Sequence, residues 1–236
     1  LHNEDEIKRK EIRIGDAVLI KKAGEVIPAV ESVVLAKRPA GAEPFDLFAH
    51  AGGKCPECGE AIARDPEAAA WRCTNEECPA QVRGRIAHFV SRRAMNIDGL
   101  GEAMIASLTT KTMVQETVDD GLFGATATEV ELPPIVRDVA DLYALKPKDI
   151  ELRRPNRAVD VQQTEMKLAS KLCRAIAASK NNELWRLIHG LGIPNVGEGL
   201  ARKLAQEFSS LDALMGAEAE ALATVRRKVL GLGIPR

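Results

Sequence analysis

Two short stretches carry the reading of this chain: Lys54-Cys55-Pro56-Glu57-Cys58-Gly59 and Trp71-Arg72-Cys73-Thr74-Asn75-Glu76-Glu77-Cys78-Pro79. Each supplies a pair of cysteines, and the fourteen residues between the pairs are enough chain for the second to fold back onto the first. Four thiolates then surround one ion. Zn2+ takes four sulfur ligands tetrahedrally at about 2.3 Å, and a closed set leaves no position for water, so the expected site is structural rather than catalytic. The segment is too short to hold an apolar core of its own, and the metal supplies the missing stability. A disulfide framework or an iron–sulfur cluster fits the spacing less well. Cys173 stands alone downstream, in line with Ala169, Leu172 and Ile176 on one helix face, so packing is its expected role. His50 is expected at the surface rather than as a fifth ligand, and His2, His88 and His189 likewise.

The 236 residues are 45% hydrophobic, 28% charged and only 3% aromatic, which favours a soluble, helix-leaning protein over a sheet-rich one. A net charge of -1 excludes any global attraction to nucleic acid, so a DNA contact has to come from local basic patches or backbone amides. No apolar run approaches the roughly 18 residues of a membrane span. The first residues are charged rather than signal-like, and a cytoplasmic location is expected.

Before the cysteines, residues 11–35 read as short β segments: turns at Gly15-Asp16 and Ala23-Gly24, a strand over 17–20 and a β-branched run over 30–35. They form part of a small barrel, with too few strands to close it, and the start at Leu1 reads as a truncated domain. From Pro79 the pattern turns helical, with Val82, Ile86, Phe89 and Val90 recurring on one face. Further helices are expected over 101–108, 138–144, 165–180, 183–189, 199–208 and 211–215, with Asp138 and Ser210 as N-caps. Residues 109–134 show little periodicity and read as an insertion or loop. The expected fold class is multidomain and mainly α: a partial β-barrel over 1–53, a small four-cysteine zinc module over 54–81 and an all-α domain over 82–236.

Within the helical part, Gly99-Leu100-Gly101 and Gly190-Leu191-Gly192 each lie between two helices, the second continuing through Ile193 to Gly197. Glycine permits positive φ and close approach of another backbone, while the following helix offers unsatisfied N–H groups at the positive end of its dipole. A DNA phosphate fits that description. Leu100 and Leu191 are expected to turn inward and lock each helix pair. Arg83, Arg85, Arg92 and Arg93 precede the first hairpin, and Arg202 and Lys203 follow the second, where flanking phosphates could be met. Backbone contacts make the expected binding sequence-independent, salt-sensitive and responsive to duplex shape, such as a break approached from the minor-groove side. A third, weaker copy at Gly231-Leu232-Gly233 is not expected to fold completely. No residue is singled out as catalytic.

Several of these stretches resemble bacterial NAD-dependent DNA ligases, in the family's order. Residues 1–7, Gly15-Asp16 and Ala23-Gly24-Glu25-Val26-Ile27-Pro28 look like the family's oligonucleotide-binding (OB) barrel; Cys55-Pro56-Glu57-Cys58-Gly59 resembles its zinc finger. His88 to Met95, continuing through Gly99-Leu100-Gly101, resembles its helix-hairpin-helix domain, as do residues 138–143 and 192–197. The pattern departs at 109–134 and over about the last ten residues. The resemblance implies a parent enzyme that transfers AMP from NAD+ to a lysine, then to the 5′-phosphate at a nick, and seals the strand with Mg2+ in DNA replication and repair. The family's adenylated lysine stands in a Lys-x-Asp-Gly motif, which does not occur in these residues. The implied role is therefore to clamp nicked duplex as a monomer, with zinc as the structural cofactor, NAD and Mg belonging to the parent only, and no ligation by this chain alone. A stand-alone, non-enzymatic zinc and helix-hairpin-helix DNA-repair scaffold is the alternative. A helical protein-interaction domain is a third reading, and it predicts no salt-dependent DNA affinity.

Overall fold

The computed structural model describes residues 3–23, 27–64, 70–119, 125–153 and 162–229. Leu1, His2, Gly24 and the third glycine copy at Gly231-Leu232-Gly233 lie outside them. The chain divides into two compact units, Leu1–Cys78 and Pro79–Arg236.

In the first unit the charged start of the chain is a helix, α1 (Glu4–Arg9), which periodicity alone does not announce. Its ends do: Asn3 caps it, with Oδ1 accepting from the Asp5 amide at 2.9 Å, and acidic Glu4, Asp5 and Glu6 precede basic Lys8 and Arg9, matching the helix dipole. The barrel portion consists of β1 (Val18–Ala23) and β2 (Ile27–Val33), paired antiparallel with an irregularity between Leu19 and Ile20. Two strands cannot cover their own apolar side chains, and Ile14, Leu19, Ile20 and Leu35 stand exposed. A one-turn helix, α2 (Leu47–His50), is capped by Asp46, and the short strands β3 (Ile62–Arg64) and β4 (Trp71–Cys73) pair antiparallel.

In the second unit Pro79 opens α3 (Pro79–Val90), whose Val82, Ile86, Phe89 and Val90 are all buried. They pack with Leu100, with Ile105 and Leu108 of α4 (Glu102–Thr109), with Leu142, with Ile150 of α5 (Pro147–Leu152), and with Leu172 and Ile176 of α6 (Gln162–Ser179). A second core joins α7 (Leu184–Gly190), α8 (Glu198–Glu207) and α10 (Ala219–Val229) through Ile188, Ala201, Leu204 and Val225. α9 (Leu211–Met215) starts at Ser210 as expected, the hydroxyl accepting from the Ala213 amide at 3.1 Å.

Three expectations are corrected here. Within residues 109–134, read as an insertion or loop, β5 (Thr112–Asp119) and β6 (Ala125–Leu132) are strands, paired antiparallel in unbroken register from Thr112↔Leu132 to Asp119↔Ala125. The strands are rich in Thr and Val, which favour extended backbone, so the unit is mainly rather than purely α. Asp138 caps no α-helix; its Oδ1 accepts from the Ala140 amide in a turn that leads into a 3-10 segment, Ala140–Ala144. Finally, α5 and α10 arise where no helix is expected; the apolar Leu222 and Val225 of α10 sit one turn apart and seal the second core.

Candidate metal centre and nucleic-acid interface

The four sulfurs of Cys55, Cys58, Cys73 and Cys78 lie within 4.8 Å of one another. Cys58 and Cys73 are 3.4 Å apart and Cys55 and Cys78 3.9 Å, close to the roughly 3.8 Å edge of a tetrahedron with 2.3 Å Zn–S bonds. The first knuckle is shaped by Gly59 at φ 76, whose amide donates to the Cys55 carbonyl at 2.9 Å. Pairing of β3 with β4 then sets Cys73 opposite Ile62. The amides of Cys58 and Glu57 hold the Cys55 thiol down at about 7, while burial pushes Cys73 up to about 12. A bound cation would supply the positive charge that a cluster of four thiolates needs. This donor set fits a structural zinc and leaves no open position for chemistry. His50 takes no part; its ring lies against Phe45 at 5.5 Å. Cys173 packs on α6, its sulfur 3.7 Å from the Leu145 carbonyl oxygen.

Sequence reading misses what holds this module to α1. The carboxylate of Glu4, only 4% exposed, accepts from the Trp71 indole N–H at 2.7 Å and pairs with Lys8 at 2.8 Å. Arg64 reaches Glu4 at 3.5 Å and Asp5 at 2.7 Å. Phe48 covers the Trp71 ring at 4.9 Å, and Gly53 beside it has left-handed backbone at φ 67, a conformation that favours glycine. Lys8 and the Trp71 N–H hold the Glu4 carboxyl below its ordinary value despite burial.

The two hairpins correspond at a constant offset of 96 residues, a different register from the paired Gly-Leu-Gly triplets. Asn96 and Gly192 both have positive φ, 49° and 66°. So do Gly99 and Asn195, at 96° and 63°. Leu100 and Val196 follow, and then Gly101 and Gly197, which cap α4 and α8 with nearly identical backbone: φ -78, ψ 171 and φ -75, ψ 174. Glu102 and Glu198 open the helices, and Ile105 and Ala201 make the first intrahelical bonds at 3.0 Å. Neither helix has a side-chain cap, so the amides ahead of those bonds emerge at the helix start. Asn195 and Val196 are therefore the members of the second hairpin that the triplet pattern overlooks. The signal for them was the tolerance of asparagine for left-handed backbone.

Gly101 and Gly197 have ordinary extended backbone, and a Cβ on either would meet nothing within 4 Å. Neither conformation nor internal packing demands glycine at these two exposed positions. Gly190 is the opposite case and corrects the expectation for it. It is buried at the end of α7, where a Cβ would stand 3.2 Å from Phe89 and 3.4 Å from Ala94. Leu191 does not turn inward either; it is 39% exposed, because the inward apolar position of this hairpin belongs to Val196. Leu100 is buried as expected. Gly99 and Gly192 are exposed at positive φ.

Of the predicted cations, Arg85, Arg92 and Arg93 are exposed and Arg83 half-buried. Arg85 lines a cleft of about 700 Å³ together with His88, Asp138 and the second hairpin, including Gly192, Asn195 and Gly197. Arg202 lies over the Trp185 ring at 3.5 Å and pairs with Glu198 at 3.0 Å; Lys203 donates to Gln206 at 3.2 Å. His88 and His189 are half-buried rather than at the surface, stacked edge to face at 4.9 Å, with His88 Nε2 donating to the His189 carbonyl at 2.8 Å.

Residues 1–42 match the NAD-dependent DNA ligase OB-fold domain, residues 54–80 the NAD-dependent DNA ligase C4 zinc finger domain and residues 186–227 the helix-hairpin-helix motif. A DNA ligase of Anoxybacillus flavithermus is 40% identical over 225 residues, covering 95% of this chain and 28% of that protein. A DNA ligase of Desulforamulus reducens is 43% identical over 224 residues, and one of Clostridioides difficile 40% over 222; each alignment covers 94% of this chain and 28% of the relative. The chain thus spans less than a third of the curated relatives it matches. Among the described residues no helix is long and apolar enough to cross a membrane. An OB-fold segment and a C4 zinc finger of the NAD-dependent DNA ligase type, and similarity to DNA ligases along 95% of its length, are thus what this chain shares with that family.

Proposed function

We propose that this chain is the DNA-gripping portion of an NAD-dependent DNA ligase. It holds nicked duplex by its backbone, independent of sequence, while a thiolate-bound zinc braces the segment ahead of the hairpins. The observation that carries the reading is the pair of helix-capping glycines, Gly101 and Gly197, which the fold itself does not need. Ser, Thr, Asp or Asn would cap α4 and α8 better. A bare glycine is useful where a second molecule must reach the emerging amides, and a phosphate oxygen is the ligand that a helix start favours. Exposed Arg92 and Arg93 stand in the chain shortly before the first hairpin and add sequence-independent attraction.

In this reading the grip serves nick sealing in replication and repair. NAD and Mg act in the parent enzyme, in the cytoplasm, and the chain binds DNA as a monomer. These 236 residues contain no Lys-x-Asp-Gly motif to accept AMP, so adenylation and sealing fall to other parts of the parent. The test is titration of nicked duplex at rising salt. Affinity should fall steeply and log-linearly with salt, to a similar degree for unrelated sequences; absence of salt-dependent binding would overturn the proposal.

A further inference from the structure

The helix that leads into the second hairpin, α7, is fastened to the backbone that leads into the first. Between the end of α3 and Asn96 the chain turns irregularly, with the Ala94, Met95 and Asn96 amides bonding back to Ser91, Phe89 and Ser91. The carbonyls of Arg92, Ala94 and Met95 are not consumed by that turn. They are met from outside: Arg186 Nη1 donates to Arg92 at 3.1 Å and to Ala94 at 2.8 Å, and Asn182 Nδ2 donates to Met95 at 2.7 Å.

The surroundings aim the guanidinium. Arg186 lies over the Trp185 ring at 4.6 Å, with Arg202 against the same ring at 3.5 Å, and Trp185 is itself buried. Gly190, one turn further along α7, is pressed against Phe89, Ala94 and Met95. His88 bonds the His189 carbonyl beside it. Ala94 and Met95 are nearly inaccessible with these partners in place, so Arg186 and Asn182 satisfy carbonyls that the packed turn leaves without a backbone donor. The positive charge also lies at the C-terminal end of α3, where the helix dipole favours it.

From this geometry we infer that Arg186 is a positioning residue for the first hairpin. It fixes where the Gly101 helix start stands relative to the Gly197 helix start, so the two hairpins meet a duplex as one jaw and not as two independent contacts. Arg186 touches no DNA in this arrangement; it acts through residues 92–101. The inference rests on the DNA-gripping reading and adds a residue that neither the glycine pattern nor the basic clusters single out.

A double-mutant cycle on the full chain tests it, using nicked-duplex affinity as the readout and Arg186→Met, Arg186→Lys and Gly101→Val as variants. Arg186→Met should weaken binding by about tenfold alone, but by less than about twofold when Gly101→Val has already disabled the first hairpin. Its salt dependence should become shallower, as that of Gly101→Val does, because phosphates are lost rather than uniformly weakened. Arg186→Lys keeps a donor for one carbonyl and should recover part of the affinity, with the residual loss again vanishing on the Gly101→Val background. If Arg186→Met does not fold, Arg186→Lys carries the same cycle. Equal weakening by Arg186 variants with and without Gly101→Val, or no weakening at all, would overturn the positioning role. Failure of the unmodified chain to bind nicked duplex would instead remove the DNA reading on which the role rests.

Discussion

Gly99 and Asn195 occupy the same place in the two hairpins: both have left-handed backbone, both precede an apolar residue and a capping glycine, and they stand 96 residues apart. A left-handed residue with a Cβ costs roughly 1–2 kcal/mol, and asparagine is among the few side chains that bear it. Asn195→Gly is therefore expected to leave stability within about 0.5 kcal/mol of the unmodified chain, whereas Asn195→Val should lose about 1–2 kcal/mol. Gly99→Val should lose at least as much, since φ 96 lies in a region that a β-branched residue rarely adopts. Denaturant titration of the three variants checks this, and an unstrained Asn195→Val would refute the shared hairpin geometry.

Gly101→Ser and Gly197→Ser separate folding from binding. A serine at these open caps can accept from an N–H of α4 or α8, so each variant should be as stable as the unmodified chain or more so by ~0.3 kcal/mol. Nicked-duplex affinity should nevertheless fall by about tenfold for each, because the hydroxymethyl group stands where a phosphate must approach. Full affinity in both variants would show that the bare caps are not the point of contact.

Metal content decides the thiolate centre. The purified chain should hold about one zinc per molecule, and Cys78→Ser, which alters a sulfur with no solvent exposure, should abolish stoichiometric binding. Ligation needs all four sulfurs deprotonated, so zinc should be released as pH falls and protons compete for the thiolates. Measured metal against pH checks the direction; a metal-free chain with intact structure over residues 54–80 would exclude a structural role.

The Glu4 carboxylate predicts a specific acid sensitivity. Its pKa in the folded chain is lowered, first by Lys8 and then by the Trp71 N–H. A lowered carboxyl stabilises the fold fully above its unfolded value, and that contribution disappears as pH falls through the folded value. Glu4→Gln keeps an acceptor for Trp71 but removes the charge, so it should flatten the acid limb of stability while losing stability at neutral pH. Denaturant midpoints between neutral and acid pH test this, and an unchanged acid limb would show that Glu4 does not govern it.

How much of this was legible depends on the range of the interactions concerned. The cysteine pairs, the Pro79 start of α3, its buried face and the Ser210 cap are local signals, written within a few residues, and each can be read directly from order and spacing. The β5–β6 hairpin was obscured because β5 has no clean apolar alternation, and in β6 the alternation rests on small Ala and Thr side chains until Val130 and Leu132. Gly190, Leu191 and Val196 show a different limit. The Gly-Leu-Gly triplets at 99–101 and 190–192 look alike on paper, but which glycine is buried, which side chain points inward and which amides are left free depend on Phe89, Ala94 and Met95 packing against a helix nearly a hundred residues later.

Residue order alone therefore settled that four thiolates gather, that helices dominate after Pro79 and that glycine turns recur. Assembly in three dimensions settled which turns are equivalent, put Glu4 under the Trp71 indole and brought Arg186 to the Arg92 and Ala94 carbonyls. The division follows from distance along the chain: capping, turn and metal-knuckle preferences act between near neighbours, whereas burial and the satisfaction of a stranded carbonyl depend on partners that only the folded core brings within reach.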